Sequence, residues 1–293
     1  VFSYSLPGLG MFRVNVSIAR GGFVIVIRAI PFEIPSIEEL KLPQVLKDIS
    51  KHQNGIILVT GATGSGKSTT VASMLDYINQ NFTKNIISFE EPIEYLHRDK
   101  KCIINQKEIP DDVKDYKTAL KYVLRQDPDI IFLGELRDQG TIEAAIKASE
   151  TGHLVISTLH TINASKSISR ILDFFPPEKS KSLRFQLAEN IRAIVSQRLL
   201  KTLEGGKRVV AEVLINTGTM QELISTEEGM RRIPEIVKKS EQLGMQSFDS
   251  ETLKLYRAGI IDFDTAYDAS TVKTEIEMAR AGITSGTDNL IHG

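Results

Sequence analysis

The chain contains a single cysteine, Cys102, and no tryptophan. One cysteine cannot close an internal disulfide or supply the paired ligands of a cysteine zinc site, and it fits a reducing compartment. Neither sign of charge is in excess: 36 Lys+Arg stand against 37 Asp+Glu, a formal net charge of -1. That balance argues against a surface that binds DNA mainly by neutralising phosphates, though it allows a local basic channel. Long hydrophobic runs are missing too. Residues 23–27 and 130–133 fall far short of the roughly 18 residues of a membrane helix, so direct membrane insertion is not expected and any membrane role runs through a partner. No signal peptide is visible. The first residue is Val1 rather than Met, and residues 2–16 read as mid-domain sequence, so a longer parent protein is expected. What remains, 293 residues with 41% hydrophobic and 25% charged side chains, has the composition of a soluble globular protein of one or two domains, not of a disordered or collagen-like chain.

Between residues 12 and 28 the apolar side chains Phe12, Val14, Val16 and Ile18 alternate, and a β-branched run at 23–27 follows the Gly21-Gly22 break. This predicts strand, turn and strand, the end of a small β-containing domain assigned to residues 1–30. Pro31 and Pro35 mark a linker at 31–36. Four short apolar runs follow, at 56–59, 86–89, 130–133 and 154–157, separated by helical segments at 68–79, 114–125 and 141–150. Continuous Ile/Val/Leu runs with helical crossovers predict a parallel sheet covered on both faces, a three-layer α/β domain over 37–216. After about Asn216 the strand signals stop. Residues 217–293 read as short helices at 220–224, 232–242, 248–256, 264–268 and 272–281, expected to serve packing or a subunit interface rather than catalysis. Beyond Gly282 the small polar residues Ser285, Gly286, Thr287 and Asp288 predict a frayed end.

The chemistry concentrates at four places. Gly61-Ala62-Thr63-Gly64-Ser65-Gly66-Lys67-Ser68 fits GxxxxGK[ST] between a strand and a helix opening at Lys67. Glycines let backbone N–H groups curl around phosphate oxygens, the lysine reaches the β- and γ-phosphates, and the hydroxyl of Ser68 ligates Mg²⁺. Gly61, Thr63, Gly64, Ser65, Gly66, Lys67, Ser68 and the next residue, Thr69, are therefore the expected nucleotide-binding residues. The apolar run 130–133 leads through Gly134 to Glu135, an acid delivered beside the phosphate loop to order Mg²⁺ or its water ligands. A second acid cluster, Glu90-Glu91-Pro92-Ile93-Glu94, ends the run 86–89; Glu90, nearest the strand, is the expected carboxylate that polarises the attacking water. The fourth run is flanked by His153 and His160. Two histidines seven residues apart are a weak zinc signal without a cysteine or third histidine nearby; His160 with Thr158 reads better as a γ-phosphate sensor, and His153 as a strand cap.

Taken together, GATGSGKST at 61–69, ISFEEPIEY at 87–95, LRQDPDIIFLGELRD at 124–138 and ETGHLVISTLHT at 150–161 resemble the type II/IV secretion ATPase superfamily, and most closely the type IV pilus retraction ATPases of the PilT/PilU kind. The likeness extends to LPGLGMFRVN at 6–15, IRAIVSQRLL at 191–200 and LGMQSFD at 243–249. The resemblance implies a RecA-like P-loop domain preceded by part of a PAS-like domain and followed by helices. It also implies a homo-hexamer that hydrolyses ATP with Mg²⁺ to drive pilus retraction and twitching motility. On that basis Lys67 and Ser68 bind phosphates and Mg²⁺, Glu90 is the catalytic carboxylate, Glu135 the Walker B acid and His160 the His-box sensor, while Arg13, with Arg28 as a second, reaches the phosphates from the N-terminal domain. The family often has Arg where Met11 stands, a departure from the full arginine set. The implied location is cytoplasmic, peripheral at the inner membrane, with the pilus inner-membrane platform protein and a paralogous retraction ATPase as partners.

Within that superfamily, assembly and type II secretion ATPases usually carry a four-cysteine zinc site, which Cys102 alone cannot form. TMQELI at 219–224 stands where one retraction subtype carries a different motif, and this leans the expectation toward the PilU-like accessory subtype. Two other function classes compete: a nucleotide-gated subunit that modulates a partner motor with little turnover, and a nucleic-acid translocase, which the neutral charge and missing tryptophan disfavour.

Overall fold

The computed structural model describes residues 2–6, 10–31 and 33–283; the expected fraying at 285–288 lies outside them. β1 (Phe2–Leu6), β2 (Gly10–Ala19) and β3 (Gly22–Ala29) form an antiparallel sheet in that order. Two strands were expected here, and β1 is the addition, paired from Phe2 with Val14 to Leu6 with Gly10. Arg20 at φ 50° and Gly21 at φ 78° join β2 to β3, the left-handed pair that a two-residue type I′ turn requires. The register sets Arg13 directly opposite Arg28, so both side chains leave the same face.

A second sheet holds seven strands: β4 (Gly55–Gly61), β5 (Asn85–Glu90), β6 (Ile103–Glu108), β7 (Ile130–Leu133), β8 (Leu154–Leu159), β9 (Ile191–Lys201) and β10 (Lys207–Ile215). Their order is β10-β9-β4-β8-β7-β5-β6. Every neighbouring pair is parallel except β9 with β10. Alternation along each strand feeds two cores. Ile56, Leu58, Ile87, Phe89, Ile131 and Leu133 enter one; Ile57, Val59, Ile86, Ile130 and Phe132 enter the other.

Helices cover both faces: α1 (Val45–Ile49), α2 (Lys67–Asn81), α3 (Tyr116–Val123), α4 (Gln139–Glu150), α5 (Ala164–Leu172) and α6 (Pro177–Asn190). The architecture is the expected α/β one, with a mostly parallel sheet and a helical C-terminal region. Three strands, β6, β9 and β10, lie outside the apolar runs that mark strands in the sequence. The β6 residues Ile-Ile-Asn-Gln-Lys-Glu bury only Glu108, so that edge strand has no apolar run to betray it. In β9 and β10 the run is broken by Arg192, Gln197, Arg198, Arg208 and Glu212.

The C-terminal helices are α7 (Gly218–Ile224), α8 (Glu227–Lys239), α9 (Phe248–Arg257), α10 (Phe263–Ala269) and α11 (Lys273–Arg280). Met220, Ile224, Ile233 and Val237 of the first two join the main core. Phe248, Leu255, Ala266 and Ile276 of the last three gather around Val210 in a small core of their own. Among the described residues no helix is long and apolar enough to cross a membrane.

Candidate functional site

The parallel register sets the carboxyl ends of β4, β8, β7 and β5 side by side. In an open α/β sheet this edge is where ligands bind. A cavity of about 690 Å³ opens there, walled by Lys67, Glu90, Glu135 and His160 together with Arg13 and Arg28 of the small sheet. The four sequence signals and the two arginines thus meet at one place.

At the end of β4 the chain turns through residues 61–66 into α2. Gly64 has φ 78° and Gly66, immediately before the helix, φ 94°, left-handed values that glycine alone adopts without strain. Such a curl lets successive backbone N–H groups converge on an anion at a helix N-terminus. Thr63, Gly64, Gly66, Lys67, Ser68 and Thr69 all line the cavity. Gly61 and Ser65, also expected at the phosphates, stand behind it: a Cβ on Gly61 would lie 2.6 Å from the Gln197 carbonyl oxygen, and the buried Ser65 hydroxyl has no hydrogen-bond partner. Lys67 Nζ folds over the loop, donating to the Gly61 and Ala62 carbonyls at 2.9 and 3.1 Å, and lies 3.3 Å from His160 Nδ1. Burial lowers the Lys67 pKa, while the Glu135 and Glu94 carboxylates pull in the other direction.

Glu135 sits two residues beyond β7 rather than at the strand's last position. Its turn is tied to β8, where Thr158 Oγ1 donates to the Gly134 carbonyl at 2.6 Å and the Leu136 N–H donates to the Thr158 carbonyl at 3.1 Å. Glu135 Oε2 accepts from Arg137 Nε at 2.9 Å, and Oε1 lies 3.6 Å from His160 Nε2. Arg137 also donates from Nη1 to Glu91 Oε2 at 2.6 Å. Burial works against its charge, but the bond to Glu135 and the two carboxylates outweigh it and raise its pKa. Side-chain caps end both turns: Asp138 accepts from the Thr141 N–H at 2.8 Å and Asn163 from the Lys166 N–H at 2.9 Å, so α4 and α5 start directly behind Glu135 and His160.

Glu90 closes β5 and is 8% exposed. Its Oε1 accepts from Ser88 Oγ at 2.7 Å and from Gln106 Nε2 at 3.0 Å. Burial pushes the carboxyl up to about 7 even though these bonds and the Glu94 backbone N–H favour its charged form. A carboxylate poised there is suited to taking a proton from water near neutral pH. On the same wall, burial pushes Tyr116 up to about 12, so it stays a neutral phenol.

His153 points away from this chemistry. Its Nδ1 lies 3.0 Å from the Ala148 carbonyl and 3.1 Å from Thr151 Oγ1, at the end of α4, and β8 separates it from His160. Among the described residues no group of three or more His, Cys, Asp or Glu side chains is arranged to hold a metal. Mg²⁺ needs no such cage, since it is commonly held by one or two protein oxygens plus substrate phosphates. The Ser68 hydroxyl and Glu135 carboxylate on one cavity fit that donor set.

Sequence reasoning missed Ser88, Gln106, Tyr95 and Arg137. Ser88 was legible in principle, two residues before Glu90 on the same strand face. Gln106 was not, because its strand was unread.

A family model described as type II/IV secretion system protein matches residues 12–205. PilU, a type IV pilus ATPase of Pseudomonas aeruginosa, is 40% identical over 99% of this chain and 76% of its own length. PilT of the same organism, a type IV pilus retraction ATPase, is 41% identical over 92% of this chain and 78% of its own. Among solved structures, the pilus retraction motor PilT with bound ADP superposes with a TM-score of 0.86 at 42% identity, covering 94% of this chain and 78% of that one.

Proposed function

The chain belongs to the type II/IV secretion system protein family, and from that premise we propose that it is an ATPase that drives type IV pilus retraction. The observation that carries the reading is the meeting, in one cavity, of the phosphate loop with the Glu90 carboxylate, buried and hydrogen-bonded by Ser88 and Gln106. The ADP bound by the related PilT fits that cavity's chemistry.

The loop backbone and the α2 N-terminus bind the phosphates, and Lys67 neutralises them. Ser68 and Glu135 would hold Mg²⁺, which when bound would neutralise phosphate charge. Glu90 orients the attacking water and takes its proton, His160 senses the γ-phosphate from between Lys67 and Glu135, and Arg13 and Arg28 approach from the small sheet. Acceleration comes from positioning and electrostatic stabilisation of the transferred phosphoryl group. Because the arginines and the phosphate loop belong to different sheets, hydrolysis would change how the two are held together, which is a route from chemistry to movement. We assign residues 1–30 to a PAS-like domain, 31–36 to its linker, 37–216 to the RecA-like core and 217–293 to the C-terminal region, helical as far as it is described. The working form is a homo-hexamer on the cytoplasmic side of the inner membrane, docked on the pilus platform protein.

Steady-state phosphate release by the purified protein tests the reading. Lys67→Ala is expected to abolish turnover and nucleotide binding, and Glu90→Gln to cut turnover by about 10²-fold or more while sparing binding. Full turnover by the Glu90 variant would remove that residue from its role. The relative named PilU aligns over 99% of the chain and favours a second reading, an accessory subunit that binds ATP and modulates a paralogous motor. Negligible phosphate release by the wild-type protein alone, with twitching of a deletion strain restored by the binding-competent Glu90→Gln but not by Lys67→Ala, would select it.

A further inference from the structure

The candidate base does not hold itself in place. Glu90 is the last residue of β5; its backbone carbonyl accepts from the Ile109 N–H at 2.8 Å, but the carboxylate beyond it needs anchors of its own, and both side-chain donors that reach it converge on one oxygen, Oε1. Gln106 comes from β6, the edge strand whose register pairs Glu90 with Glu108. Its amide is used at both ends. Nε2 donates to Glu90 Oε1 at 3.0 Å and to the Tyr95 carbonyl at 2.9 Å, and Oε1 accepts from the His97 N–H at 2.8 Å. One side chain thus fastens the carboxylate and two points of the loop after it. That loop is in turn joined to the phosphate-binding helix, because Tyr95 OH and Thr69 Oγ1 lie 2.9 Å apart.

We propose that Gln106 and Ser88 are positioning residues for phosphoryl transfer: they clamp Glu90 by Oε1 and set its proton affinity, leaving Oε2 as the oxygen that meets the attacking water. The inference rests on Glu90 being the general base. Two donors on one carboxylate oxygen favour the ionised form, against the burial that opposes it. The clamp therefore keeps a deeply buried carboxylate ionisable near neutral pH, where a well-packed apolar pocket alone would hold it protonated and idle. Other charged or titratable groups face this site: Glu91 and Glu94 in the same loop, Tyr116 from α3, Glu108 on β6, Glu135 with Arg137 beyond β7, and Lys67 and His160 across the cavity. Glu94 raises the proton affinity of Glu90, and only Ser88, Gln106 and the Glu94 backbone N–H lower it through hydrogen bonds.

Single-turnover ATP hydrolysis, followed from pH 5.5 to 9.5, tests this. Wild type is expected to show an acid limb near pH 7. In Ser88→Ala and Gln106→Leu the limb should move up by about one pH unit, the alkaline plateau staying within about threefold of wild type. Ser88→Thr, which keeps the hydroxyl, should restore the wild-type limb. A merely structural lesion would lower the plateau and leave the limb where it was, so an unmoved limb in Ser88→Ala overturns the proposal even if Gln106→Leu fails to fold. The two readings separate cleanly: retained turnover in Glu90→Gln sinks the base itself, whereas lost turnover there with unmoved limbs in the donor variants sinks only the clamp.

Discussion

The buried Glu90, proposed above as the base, carries a structural cost. Burial holds its proton to about pH 7, while a carboxyl in the unfolded chain releases it near ~4.3. Between those values the folded state binds a proton that the unfolded state does not, so stability falls as pH rises through that window and stays reduced above it. Glu90→Gln removes the penalty. Its Tm is expected to exceed that of wild type at pH 8, by an amount equivalent to roughly 1–3 kcal/mol, and to match wild type at pH 4. Equal melting temperatures at pH 8 would mean that the hydrogen bonds already offset the burial. His97, with its Nδ1 buried and unpartnered, has the opposite sign: burial lowers its pKa to about 4, so its share of stability is complete above about 6.5 and is lost as pH falls toward 4. The residues proposed from local sequence are those whose pattern depends on their immediate neighbours. Lys67 and Ser68 follow from the glycine spacing, and Glu90 and Glu135 from the apolar runs before them. Arg137 bridges Glu91 to Glu135, two acids 44 positions apart in sequence, and no local pattern announces such a pair.

Elements were legible to the extent that burial was two-sided. β4, β5, β7 and β8 are covered on both faces and read as apolar runs. The edge strand β6 and the antiparallel pair β9 and β10 mix charges into their runs and were missed, though it is β6 that brings Gln106 to Glu90 and β9 that anchors the C-terminal helices. That anchor is Arg198. Its guanidinium carbon lies 3.9 Å from the Phe248 ring centroid of α9, and Nη1 donates to the Ala269 carbonyl at the end of α10 at 2.8 Å. Burial lowers its pKa, with Glu212 and Asp249 pulling against that shift. Arg198→Ala should therefore cost about 1–3 kcal/mol, felt first by the small core around Val210. In native-state hydrogen exchange, α9 and α10 are expected to lose protection while α2 and β4 keep theirs, and ADP affinity should change less than about threefold. Uniform loss across both sheets would instead make Arg198 part of the global core. Arg198→Lys should recover only part of the effect, because an ammonium stacks less well on the ring.

At the scale of the whole molecule, the two sheets contribute unequally. The seven-stranded sheet carries the cores, whereas between residues 2 and 30 the only buried apolar side chains among those described are Val14 and Ile30, and Ile18 and Phe23 are 75% and 78% exposed. The small sheet therefore adds little hydrophobic stabilisation of its own, and what it offers the cavity is the Arg13–Arg28 pair on one face. Two guanidinium groups side by side repel unless an anion lies between or before them, so a bound di- or triphosphate is the group that would fasten the small sheet to the large one. Hydrogen exchange with and without ADP and Mg²⁺ measures this directly. Wild type is expected to gain protection in two places, the first turns of α2 and the paired amides of β2 and β3. In the double variant Arg13→Ala, Arg28→Ala the gain should persist in α2 and vanish from β2 and β3, with ATP turnover falling at least about tenfold. Protection confined to α2 in the wild-type protein would mean that the nucleotide is held by the large sheet alone, and the link from hydrolysis to domain movement would then have to run through the helices behind His160 instead.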